Sequence, residues 1–97
     1  MIIVAGRLHV AADDRERYLA AVADVAVLAR RAQGCLDFVQ AADPVVPGRI
    51  NVYARWESDE DLQRFRTSGD PDAPDLDVPD VLAAEVRKYR IAAVEDP

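Results

Sequence analysis

Two stretches of this chain sort their side chains strictly by parity. In residues 2–10, Ile2, Val4, Gly6, Leu8 and Val10 fall on one side, while Ile3, Ala5, Arg7 and His9 fall on the other. In residues 49–57, Ile50, Val52, Ala54 and Trp56 make a second apolar row, backed by Arg49, Asn51, Tyr53, Arg55 and Glu57. A period of two belongs to extended backbone, whose successive side chains point to opposite faces. Two strands that both need to bury their even-numbered side call for a shared sheet with a helical layer on that side.

The segments between supply that layer. Asp13 stands three residues before Glu16, a capping-box-like pair, and predicts a helix from about Asp14 to Ala32. Its inward stripe is Leu19, Val22, Ala26 and Ala29, widened by Tyr18, Val25 and Val27. Gln33-Gly34 stops it, with glycine free to take the left-handed conformation. Residues 35–42 read as a second strand with Leu36 and Phe38 on one face and Cys35, Asp37 and Val39 on the other. Asp43-Pro44-Val45-Val46-Pro47-Gly48 is rich in turn formers, so strands two and three should form a hairpin. Ser58 is a good N-cap, with Asp61 three positions on, for a shorter helix over 59–66. Residues 68–80 hold five aspartates and three prolines and read as a loop or a lid. Val81–Ala84 suits a short helical turn, and the last strand should run from Glu85 to Val94.

The order β-α-β-β-α-β is that of an α+β, ferredoxin-like fold. It predicts one domain over residues 1–97, with an antiparallel four-stranded sheet and both helices on one face. A domain of this size buries only about two-thirds of its unfolded surface. Its second sheet face mixes Ile3, Ala5, Val39, Tyr53 and Ile91 with charges, so a homodimer through the face bearing Arg7, Tyr53 and Arg55 is expected.

Composition narrows the partners. With 18 acidic and 12 basic side chains the formal charge is −6, and no basic footprint for nucleic acid is visible. Cys35 is the only cysteine, so no intrachain disulfide is expected. The first residues read into a strand rather than a signal peptide, and no apolar run approaches the roughly 20 residues of a membrane span. A cytoplasmic protein with neither nucleic-acid nor membrane partners is the expectation.

Few residues carry chemistry. Trp56 can stack on a flat aromatic ligand and donate one N–H, or it can be a core residue that holds the second helix on the sheet. Tyr18 and Tyr89 are proton-donor candidates, or rings with a hydroxyl at the rim. Asn51, Tyr53, Arg55, Arg7 and His9 form either an anion site or a hydrogen-bonded dimer interior. His9 alone makes no metal site, because zinc or iron needs about three convergent ligands. Asp70, Asp72, Asp75, Asp77 and Asp80 match a calcium loop in composition only. Cys35 has no basic partner to activate it. Neither a phosphate loop nor a nucleophile elbow is present.

Three segments nevertheless line up with one family. Gly34-Cys35-Leu36-Asp37-Phe38, Asp43-Pro44 through Pro47-Gly48-Arg49, and Arg55-Trp56-Glu57-Ser58-Asp59-Glu60-Asp61-Leu62 resemble its second strand, hairpin and tryptophan segment. With Val4-Ala5-Gly6-Arg7-Leu8, nearly the whole chain resembles the antibiotic-biosynthesis monooxygenases. The resemblance implies a dimeric α/β barrel and a cleft between the sheet and the protomer's own helices. It makes Trp56 and Tyr18 the candidate catalytic groups and Val4, Gly6, Phe38, Val52, Ala54 and Phe65 the candidate lining. It implies a monooxygenase that needs no metal or organic cofactor, with molecular oxygen as co-substrate and a quinol, anthrone or similar aromatic as substrate. A cyclase or isomerase on the same scaffold, or a protein that binds an aromatic metabolite without turnover, are the alternatives. Phe65 stands where many members have histidine, and Ala54 where a glutamate is common. The heme-degrading branch has asparagine at the position of Gly6 and an axial histidine after the tryptophan, and neither is present here.

Overall fold

The computed structural model describes residues 1–67 and 78–97. The elements are β1 (Ile2–His9), a 3-10 turn (Ala12–Asp14), α1 (Arg15–Arg31), β2 (Cys35–Ala42), β3 (Arg49–Trp56), α2 (Asp59–Thr67) and β4 (Ala83–Arg90). The sheet runs β2-β3-β1-β4 with every neighbour pair antiparallel, as the ferredoxin-like expectation requires. Register follows parity: Val4 faces Ala54 and Ile2 faces Trp56 across β1 and β3. Residues of one parity in two paired strands share a face, and the even-numbered face is the buried one. Ile2, Val4, Val10, Ile50, Ala54 and Trp56 are all core residues.

The core forms two clusters rather than one. At one end of the sheet Ile2, Val4, Ala54, Trp56 and Leu62 pack together, joined by Ala32, Cys35, Phe38 and Phe65. At the other end Val10, Tyr18, Val22 and Ile50 do so, with Leu8 and Leu19. Helix α1 covers β2, and α2 lies against β3.

Local chemistry sets where α2 lands. Ser58 Oγ accepts from the Asp61 amide at 3.2 Å and donates to Asp61 Oδ2 at 2.9 Å, the N-cap expected from sequence. The Glu57 amide donates to the Gly34 carbonyl at 2.8 Å. Gly34 takes φ +82°, and a Cβ there would lie 2.2 Å from Asp61 Cγ. Glycine is thus needed both to turn the chain after α1 and to admit the α2 cap. From the sheet edge, Lys88 Nζ donates to Asp59 Oδ1 at 2.9 Å, and Arg90 pairs with the same carboxylate. Asp59 is held below the usual carboxylate range first by the Lys88 hydrogen bond.

Four local expectations need correction. Asp13 caps no helix, because a 3-10 turn occupies Ala12–Asp14 and the residue flanking α1 is Asp14, which pairs with Arg17 at 3.1 Å. Leu36 does not share a face with Phe38: a bulge between Cys35 and Asp37 leaves Leu36 unpaired and 43% exposed, while Cys35 and Phe38 both meet the core. Val27 is 47% exposed and lies outside the inward stripe of α1. Val81–Ala84 is not helical, since β4 begins at Ala83 and ends at Arg90, before Ile91. Antiparallel pairing with β1 outweighs the helical preference of a short alanine-bearing segment. The loop or lid expected over 68–80 falls mostly outside the described residues, as do Asp70, Asp72, Asp75 and Asp77.

Candidate functional site

Between α2 and the end of the sheet lies an apolar slot of about 90 Å³, lined by Val4, Phe38, Val52, Ala54, Trp56 and Phe65, with Leu62 and Arg66. Strand parity brings Val4, Val52, Ala54 and Trp56 to its floor. The bulge at Leu36 resets β2, placing Phe38 opposite Ala54. Helical spacing puts Leu62, Phe65 and Arg66 on one side of α2, at i, i+3 and i+4. Trp56 is only 1% exposed, and Phe65 is tilted 35° against it with ring centroids 5.3 Å apart. The Phe38 ring meets Phe65 edge-on at 6.4 Å. Trp56 is therefore both a core residue and the floor of the slot, and the ring that covers it is Phe65.

Six of the eight sequence candidates line this slot. The other two lie elsewhere. Tyr18 packs with Ile50 in the second cluster, and Ile50 lies six steps along β3, roughly 20 Å of strand, from Trp56. Burial also pushes the Tyr18 hydroxyl above its ordinary range, which makes it a weaker proton donor. Gly6 serves strand pairing: a Cβ on it would lie 1.9 Å from the Glu85 carbonyl oxygen, so β4 approaches β1 closely there. Leu62 and Arg66 were not anticipated. Leu62 was legible as the buried position of an amphipathic helix, whereas nothing local distinguishes Arg66 from Arg64. The fold does: Arg64 is engaged with Glu60 at 3.1 Å and Asp61 at 2.8 Å, while Arg66 borders the slot.

Two larger grooves, of about 410 and 420 Å³, are of a different kind. One lies on the opposite sheet face among Arg7, Arg49, Asn51, Arg87 and Tyr89, with Arg7 held by Glu85 at 2.8 Å. Tyr89 pairs with Ile3 across the strands and so belongs to this face, not to the slot. The other runs along α1 beside Gln40. The slot is the one pocket among these walled by apolar side chains of both sheet and helix and bearing several aromatic rings. Cys35 sits at the edge of the same core cluster with its thiol pushed up, chiefly by burial. Among the described residues no group of three or more histidine, cysteine, aspartate or glutamate side chains could hold a metal ion. Among the same residues, no helix is long and apolar enough to cross a membrane.

A family model for antibiotic biosynthesis monooxygenases matches residues 1–73. No curated protein sequence matches the chain. Solved structures resemble it over nearly its full length. A Deinococcus radiodurans protein of the antibiotic biosynthesis monooxygenase type superposes with a TM-score of 0.82 at 17% identity, covering 100% of this chain and 98% of that one. The heme-degrader MhuD of Mycobacterium tuberculosis, with two hemes in its active site, gives 0.72 at 17% identity, covering 99% of this chain and 100% of that one. A Chloroflexus aurantiacus relative of the first type gives 0.70 at 20% identity, covering 98% and 96%.

Proposed function

Because this chain belongs to the antibiotic biosynthesis monooxygenase family, we propose that it is a cofactor-independent monooxygenase of a quinol, an anthrone or a similar aromatic small molecule. The observation that carries this reading is the slot, an apolar recess flanked by the rings of Trp56, Phe65 and Phe38. Such walls favour a flat, electron-rich ring through burial and edge or offset contacts. A phenol that has lost its proton can itself reduce dioxygen. A quinol and one dioxygen molecule then give a hydroxyquinone and water, with one oxygen atom entering the ring and the other leaving as water. In this reaction the chain supplies orientation and exclusion of water rather than an acid or base, and the phenol proton passes to solvent at the slot mouth.

Heme does not fit these residues. The slot offers about 90 Å³ and no imidazole, and His9, the single histidine, lies on the other sheet parity, opposite Arg49. We assign no step to a porphyrin.

The active form in this reading is a cytoplasmic homodimer, joined through the odd-numbered sheet face. Its support is the half-buried Ile3, Ala5 and Tyr53 on that face. A second reading is binding without turnover, favoured by the absence of any carboxylate, imidazole or phenol from the slot lining among the described residues.

The deciding experiment is oxygen uptake with a panel of reduced quinols and anthrones, corrected for autoxidation, using wild type and Trp56→Phe. Protein-dependent uptake that falls by about tenfold or more in the variant is expected, the cost of roughly 1.4 kcal/mol in barrier from a displaced slot floor. No uptake above autoxidation across the panel would move the assignment to the binding reading.

A further inference from the structure

The slot also limits what the ring can be. Its volume of about 90 Å³ is below the ~150 Å³ cavity known to take one benzene. It is far below the roughly 300–1,000 Å³ of pockets that enclose larger organic ligands. Phe65 is the reason, since its ring occupies the space over Trp56 at 5.3 Å and closes against Phe38 at 6.4 Å. With Phe65 in place the slot takes only the edge of one ring entering from its open side, and a second fused ring would have to displace Phe65.

Among the described residues the lining has a single charged member, Arg66. The residue is exposed, and no carboxylate among the described residues pairs with it, whereas Arg64 one turn-face away is held by two. An arginine placed this way packs its aliphatic stem on apolar wall and keeps its guanidinium in water at the rim. A planar fork of N–H donors at the rim of a recess that admits a ring edge-first matches a carboxylate attached to that ring.

From these two features, and resting on the aromatic-substrate reading above, we infer that the slot selects a single-ring phenol or quinol bearing an acidic substituent. The ring enters against Val52, Ala54 and Phe65, and the acid group is held by Arg66. Phe65 sets ring size and Arg66 sets charge.

Anaerobic titration calorimetry tests this without requiring turnover. The probes are gentisate, its neutral amide gentisamide, and the two-ring acid dihydroxynaphthoate. Wild type is expected to bind gentisate about tenfold more tightly than gentisamide, the size of one solvent-accessible charge-assisted contact. Arg66→Met, which keeps the stem, should erase that preference and leave gentisamide binding unchanged. Dihydroxynaphthoate should bind about tenfold or more weakly than gentisate to wild type, and gain in Phe65→Ala or the milder Phe65→Leu. The proposal is overturned if Arg66→Met keeps the wild-type preference, if the two-ring acid binds wild type as well as gentisate, or if gentisate does not bind. Intact selectivity without oxygen uptake would refute the monooxygenase reading alone, so the two can fail separately.

Discussion

Asp43 shows how much one side chain can organise. Its carboxylate accepts from the Val45 amide at 3.0 Å, the Val46 amide at 2.8 Å and Asn51 Nδ2 at 2.8 Å, with Arg49 3.6 Å away. These contacts, the Val46 hydrogen bond foremost, lower its pKa from 3.8 to about 2. A depressed folded-state pKa stabilises the fold above the unfolded value, and the benefit fades as pH falls through the folded one. Asp43→Asn should therefore lower the urea midpoint at neutral pH, with the gap to wild type closing between pH 3.8 and about 2. A gap that stays constant across that window would show that the turn draws on shape rather than charge. The turn itself was legible from Asp43-Pro44 and Pro47-Gly48, since aspartate and proline each favour it for local reasons. The slot residues Val4, Val52, Ala54 and Trp56 were legible for a similar reason, because strand parity alone assigns their side. Tyr18 was not: a helix stripe tells which residues face the sheet, but not which end of the sheet they meet.

At the scale of elements, the parity of β1 and β3 survived intact while that of β2 did not. One bulged residue, Leu36, was enough to turn Cys35 and Phe38 to the same side, and bulges leave little trace in a short apolar run. Strand β4 is exposed along its length and is tied to the rest by pairing with β1 and by Lys88 and Arg90 on Asp59. The close approach at Gly6 is central to that pairing. Gly6→Ala should cost about 1–3 kcal/mol, because the methyl group must displace β4 backbone. Amide exchange should localise the damage, with protection lost in Ala83–Arg90 and kept at the hairpin. Uniform loss across the sheet would mean that β4 and the core unfold as one unit.

For the whole molecule, the proposed homodimer makes the odd-numbered face an interior. Wild type should sediment at about twice 10.7 kDa, and Tyr53→Glu, which places a charge at the centre of that face, should sediment as the monomer. A wild type that remains monomeric at micromolar concentration would remove the dimer from the reading. The amino-acid sequence by itself determined the element order, the buried parity of two strands, the hairpin and the cap of α2. Each of these depends on neighbours within a few residues, where propensity and periodicity act. Only the tertiary structure decided that the core splits in two, that Tyr18 and Trp56 lie in different halves, and that Gly6 is pressed against β4. It also brought Arg66 rather than Arg64 to a recess filled by Phe65. Those outcomes depend on where α1 and α2 land on the sheet, set by Gly34, Ser58, Asp59 and the β4 cations acting across long sequence separations.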